Sequence, residues 1–187
     1  MPPKVIVSRE NIINTCLEIV RSGGINAINA RNLAAFLGCS TQPIFSNFKS
    51  MDELEEVTIT AAYEIYLSFI KNEVKSEKYP KYKAFGMAYI RFAREEKELF
   101  KLLFMRDRRG EDLSPSPDFK ESVKLIMDAN GIDEEKATLL HLEMWCCVHG
   151  IGTMFATSYL SLEDELISQM ISDVYNGVRY RLISEEN

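Results

Sequence analysis

The chain has 187 residues, enough for one ordinary domain or two small ones with a substantial hydrophobic core. With 46% hydrophobic, 10% aromatic and 27% charged residues, and only 9 Gly and 6 Pro, its composition excludes a disordered or fibrous chain and suits a compact helical one. Twenty-two Lys+Arg against 28 Asp+Glu leave a net charge of -6, which taken over the whole chain argues against a nucleic-acid partner.

No stretch approaches the ~18 apolar residues of a membrane span, and the apolar part of MPPKVIVSREN is too short for a secretory signal. A cytoplasmic protein without a membrane partner is expected. Cys16, Cys39, Cys146 and Cys147 match no zinc-pair spacing and read as reduced, mostly buried small hydrophobes. His141 and His149 are eight apart with Trp145 midway, so on a helix the three share roughly one face. They lack the further ligands a metal would need. No nucleophile motif, phosphate-binding Gly loop or metal cluster is present, so neither catalytic residues, a metal nor a cofactor is expected, and an enzyme is disfavoured.

In chain order, Ser8 caps a first helix carrying Ile13, Cys16, Leu17 and Val20, which Gly23-Gly24 stops. Ile25 and Ile28 plug the core from a short link. Asn29 caps a second helix through Leu37, ended by Gly38, and Ser40 caps a short third helix with Pro43 in its first turn. Ser50 and Glu53 form a capping box opening a fourth helix that runs to about Val74. Two amphipathic helices follow, one with Phe85, Tyr89 and Phe92, the other with Leu99, Phe100, Leu103 and Phe104, broken near Arg94 to Lys97. A polar loop spans 107–117. Ser116-Pro117 starts a helix to Asn130, Asp133 a long one through Phe155, and Ser161 the last. In the long helix, Gly150 and Gly152 suit either a kink or a close helix approach. The last helix carries Leu162, Leu166, Met170, Val174, Val178 and Leu182 beside Ile167, Ile171 and Tyr175. So wide a stripe suits a helix buried on one side in its own core and on another against a second copy, although deep burial in a monomer gives the same pattern.

The informative stretch is INARNLAAFLGCSTQPIFSNFKSMDEL from Ile28. Ala34 is a small residue where two helices cross, and four positions on Gly38 is free to take positive φ in the turn. Leu33, Leu37, Cys39, Ile44 and Phe48 lock that crossing. Charge divides along the same line. Residues 1–51 hold five cations and two carboxylates, net +3, and the remainder 17 against 26, net −9. A cationic headpiece on an acidic body is compatible with DNA after all.

The frame from Ser8 to Leu54, and LAAFLGCSTQPIFSNFKSMDEL above all, resembles the TetR-type bacterial transcriptional regulators. In the body, EMWCCVHGIGTMF holds Trp145, His149 and Gly150 in the arrangement of that family's WHG subgroup. The resemblance implies an all-α fold of about nine helices: an N-terminal three-helix helix-turn-helix domain over 1–50, then a helical effector-binding and dimerisation domain over 51–187. Three positions depart from the family pattern. Phe45 stands for the usual Tyr and loses a hydroxyl-to-phosphate contact, Asn47 for His, and Met51 for Lys. Lys49, Arg9, Lys4 and the fourth helix's first N–H groups would compensate.

On this resemblance Thr41, Gln42 and Ser46 face the major groove, Gln42 reading adenine, with Pro43 against a thymine methyl. Arg9, Arg31, Phe45 and Lys49 join the interface, and Ser40, Asn29 and Asn47 hold phosphate oxygens or, for Ser40 and Asn29, equally well cap helices. The implied partners are a near-palindromic double-stranded DNA operator, a second copy through the last two helices, and a small apolar or amphipathic effector. Phe85, Phe92, Phe104, Trp145 and His149 are the candidate effector-binding residues, with His149 equally suited to a structural role. The implied function is a repressor released by its ligand, which would shift the fourth helix. The alternative is a dimeric DNA-binding or interaction protein answering to a protein partner or to no small molecule.

Overall fold

The computed structural model describes residues 7–107, 109 and 117–184. Among them are nine α-helices and no strand: α1 Arg9–Gly23, α2 Ala30–Leu37, α3 Gln42–Asn47, α4 Met51–Lys75, α5 Lys81–Glu95, α6 Lys97–Phe104, α7 Pro117–Asn130, α8 Glu134–Ala156 and α9 Asp164–Ser184. A turn of 3-10 helix, Ile25–Ala27, follows α1. Most of the polar loop expected at 107–117, Lys4, and Ser116 lie outside the described residues. The chain divides into two compact units. The first comprises the described residues up to Leu67 together with Glu96–Arg106, and the second Ser68–Glu95 with those from Asp107 onward.

In the first unit, local capping sets where the helices begin. Ser8 Oγ accepts the Asn11 N–H at 3.1 Å, and Asn29 Oδ1 accepts those of Arg31 and Asn32 at 3.1 and 2.9 Å, satisfying donors a helix start leaves unpaired. Gly38 ends α2 in the left-handed region (φ 62°, ψ 32°). A Cβ there would meet nothing within 4 Å, so backbone conformation rather than space calls for glycine. The third helix starts one residue later than Ser40 would dictate. Thr41 is its N-cap without a side-chain cap bond, and the Thr41 carbonyl accepts the N–H groups of Ile44 and Phe45. Around the turn, Ile12, Cys16, Ile19, Leu33, Ile44, Phe48 and Leu54 form a dry core, with Ile28, Leu37, Cys39 and Met51 packed against it. Met51 therefore serves packing where the resemblance expects a cation. The same unit contains α6, which packs on α1. Arg21 grips Glu96 with two bonds of 2.8 Å, Nε to Oε2 and Nη2 to Oε1.

In the second unit α8 packs against α5, α7 and α9. Asp133 caps it, accepting the Lys136 N–H at 2.8 Å, and it runs as one helix through Gly150 and Gly152. Gly86 of α5 sits where a Cβ would stand 3.3 Å from Val148 Cγ1 and 3.8 Å from Ile171 Cδ1, so this glycine admits a close helix approach. The last helix opens at Asp164 rather than at Ser161, because its first helical bond runs from Ile167 N–H to the Glu163 carbonyl. The break between α5 and α6 falls at Glu96, as the charge run suggests. Cysteine burial is less complete than expected: Cys16 is buried, Cys39 and Cys147 are half-buried, and Cys146 is exposed.

Candidate nucleic-acid interface

The third helix is only six residues long, and its two faces are sharply different. Ile44 and Phe48 are 0% and 2% exposed and anchor it in the core. Gln42, Phe45 and Ser46 lie on the exposed side, while Thr41 and Pro43 are half-buried. Gln42 makes no side-chain hydrogen bond among the described residues, leaving its amide donors and acceptor for an outside partner. Ser46 Oγ instead bonds the Gln42 carbonyl at 2.9 Å, and Asn47 Nδ2 the Pro43 carbonyl at 2.8 Å. Phe45 is 52% exposed, an aromatic face without a hydroxyl. Arg31, Ser40 and Lys49 are exposed nearby in sequence. Asn29 has committed its oxygen to capping α2.

Arg9 is placed differently from a free phosphate ligand. Its Nη1 donates to the Asn47 carbonyl at 2.5 Å and its Nη2 to Glu53 Oε1 at 3.1 Å, and its guanidinium lies 4.1 Å above the Phe48 ring. Glu53 completes the capping box, its N–H bonding Ser50 Oγ at 3.1 Å, but its carboxylate reaches past Ser50 to the Lys49 N–H at 2.7 Å. That backbone donor, then Arg9, holds the Glu53 carboxyl below its ordinary range. Sequence reasoning found the capping box but not this partnership, since residues 44 apart share no local signal.

In the second unit, two tyrosines of α5 meet the two histidines of α8. The Tyr82 hydroxyl lies 3.0 Å from His141 Nδ1 and that of Tyr89 2.8 Å from His149 Nδ1, the ring tautomers setting which group donates. Burial pushes both imidazoles below their ordinary pKa and pushes Tyr82 up. Trp145, 46% exposed, stacks on His149 with ring centroids 5.2 Å apart. Of the candidate effector residues, these two are brought together. Phe92 is fully buried against Phe69, and Phe85 is half-buried with the Lys81 ammonium 5.9 Å from its ring. Phe104 belongs to the first unit, packed on Tyr66 and Phe100.

A cavity of about 220 Å³ opens elsewhere in the second unit. Its floor is Met87, Ile90 and Ile167, and its rim is charged, with Arg91 paired to the nearly buried Glu73 at 3.1 Å and Arg94 to Asp164 at 2.7 Å. None of Phe85, Phe92, Trp145 and His149 lines it. No cluster of three potential metal ligands occurs among the described residues, and none of their helices is long and apolar enough to cross a membrane.

Comparison with known proteins agrees with this architecture. Residues 82–174 match the family model of the tetracyclin repressor-like C-terminal domain. No curated protein matches the sequence. Among solved structures, a TetR family protein from Vibrio parahaemolyticus shares the fold with a TM-score of 0.58 at 14% identity, over 90% of this chain and 97% of that one. Residues 82–174 thus match a tetracyclin repressor-like C-terminal domain, and the all-helical fold is that of a TetR family structure.

Proposed function

We propose that this regulator binds a palindromic DNA operator as a cytoplasmic homodimer, through residues 1–50, and is released from it by a small molecule bound within 51–187. The compact units are cut differently, with Met51–Leu67 and α6 in the first, but the two boundaries describe different things: what touches DNA and what packs together. The observation that carries the DNA reading is α3 itself. Core residues fix one side of it, and Gln42, Phe45 and Ser46 are offered on the other, behind a glycine turn. Arg31 and Lys49 supply cations for phosphate, Thr41 and Pro43 flank the readers, and Ser40 and Asn47 remain minor polar contacts. Selection of bound sequences from random duplexes tests the reading: recovery of a short palindrome is the expected result, and sequence-blind binding would reject it.

Dimerisation is supported by apolar side chains that the chain leaves uncovered. Along α8, Leu139, Leu142 and Met154 are exposed with Cys146 between them, and a Cβ at Gly150 would meet nothing within 4 Å. On α9, Ile167, Ile171 and Leu182 are buried while Leu166 and Val174 are exposed, so the wide stripe does divide into an inner and an outer part. A second copy on this outer part would bury both stripes.

Effector response is supported by the cavity at α5 and α9, with apolar floor and ionic rim, which suits a small amphipathic molecule. One observation favours the rival reading, a body that only dimerises: the aromatic candidates do not surround that cavity. Thermal-shift titration with small metabolites separates the two, because a ligand for the folded state raises Tm with its concentration.

A further inference from the structure

A carboxylate is an unexpected neighbour for a helix offered to DNA, since it repels phosphate. Glu53 is nevertheless held beside α3, with both oxygens engaged: Oε2 takes the Lys49 N–H in the α3–α4 turn, and Oε1 takes Arg9 of α1. Arg9 in turn covers the end of α3. It donates to the carbonyl of Asn47, the last residue of the helix, where carbonyls lack helical partners and the helix dipole favours a cation. Its guanidinium also lies on Phe48, the C-cap of α3.

The side chains of Arg9 and Glu53 are 44% and 30% exposed. Ion pairs that wet add little to folding stability. They are better suited to orientation. A helix of six residues is fixed in the core by Ile44 and Phe48 and tied outside it by a long bond of 3.5 Å from Asn47 Nδ2 to the Val7 carbonyl, and a small rotation about that anchor displaces Gln42 at the far end. We propose that Arg9 and Glu53 are positioning residues that clamp the C-terminal end of α3 to α1 and α4, so that the carboxylate of Glu53 strengthens specific DNA binding instead of opposing it. The proposal rests on the DNA-binding reading above. It assigns Arg9 a role through α3 in place of direct phosphate contact, because each terminal nitrogen already donates to a protein oxygen, and the salt dependence below tests whether its remaining N–H groups reach phosphate.

The test uses the full chain and a duplex recovered by the selection experiment, beside a random duplex of equal length. Glu53→Gln removes a negative charge, so plain electrostatics predicts tighter binding to both. The clamp predicts about fivefold weaker operator binding, the upper end for an exposed ion pair, with random-duplex binding unchanged or tighter. Arg9→Gln gives a similar loss with the salt dependence of operator binding unchanged, and the double variant is no worse than either single one. The proposal is overturned if Glu53→Gln binds the operator as well as the parent. A fall of about one in the salt slope for Arg9→Gln overturns it too, since that marks a lost phosphate contact. So does a parallel loss on both duplexes with a lowered Tm, which marks a merely structural pair. Failure of the parent protein to select any sequence rejects the DNA reading, and the clamp with it, and is visible before any variant is made.

Discussion

Gln42 and Lys49 are both exposed and polar, yet they should fail differently. A glutamine amide reads adenine through two hydrogen bonds, so Gln42→Ala should cost about 1–3 kcal/mol on the selected duplex and relax preference at one position per half-site. Lys49 is a point charge. Lys49→Ala should weaken every duplex alike and lower the salt slope by about one, read from titrations at several salt concentrations. If Gln42→Ala lost affinity without changing the recovered sequence, the amide would be touching phosphate or nothing. At this scale the sequence was most legible where the signal is local. Ser8, Asn29, Ser50 and Asp133 all cap helices as their spacing predicts, each within four residues of its partner. Ser40 and Ser161 mislead because a serine near a helix start competes with neighbouring residues for the cap, and here backbone bonding from Thr41 and Glu163 wins.

Between elements, the two tyrosine–histidine contacts make the α5–α8 contact sensitive to acid. Both imidazoles sit below their ordinary pKa of 6.5 because burial disfavours the charged form. The unfolded chain therefore binds more protons near that pH than the folded one, so stability is full above the unfolded value and falls as pH drops through 6.5 toward the folded values. Melting curves between pH 7.5 and 5.5, above most carboxylate titration, should show Tm falling with acid. His141→Asn together with His149→Asn should flatten that dependence. A flat profile in the parent chain would mean that both rings keep their charge solvated. Sequence reasoning placed the histidines and Trp145 on one face of a helix, and Trp145 does stack on His149. It had no access to Tyr82 and Tyr89, because contacts across 59 and 60 residues leave no periodic trace.

For the whole molecule, the wide apolar stripe of α9 is the feature with the largest consequence for assembly. Leu142→Glu on α8 or Val174→Glu on α9 places a charge on a face that the chain itself leaves open, so the helices should stay intact by circular dichroism. Sedimentation should shift from dimer to monomer. Unchanged sedimentation for both would move the interface elsewhere. The division into a basic N-terminal part and an acidic remainder could be read from residue counts, as could helical content and the glycine turn. The membership of each compact unit could not. Nothing in the periodicity of LFKLLF associates α6 with α1, because any amphipathic helix can pack on any apolar groove, and the Arg21–Glu96 pair spans 75 residues.

That association bears on how the molecule can be taken apart. Leu54 is fully buried in the core formed by Ile12, Cys16 and Ile44, Thr58 is buried one turn beyond, and α6 covers α1 from a distant part of the chain. The first compact unit is therefore not a contiguous cassette. A fragment of residues 1–50 should lack fixed tertiary structure by proton NMR, whereas grafting the operator preference of another regulator should succeed by exchanging the exposed residues of α3 alone. Divergence in such a protein can proceed at the reading surface without renegotiating its foundations.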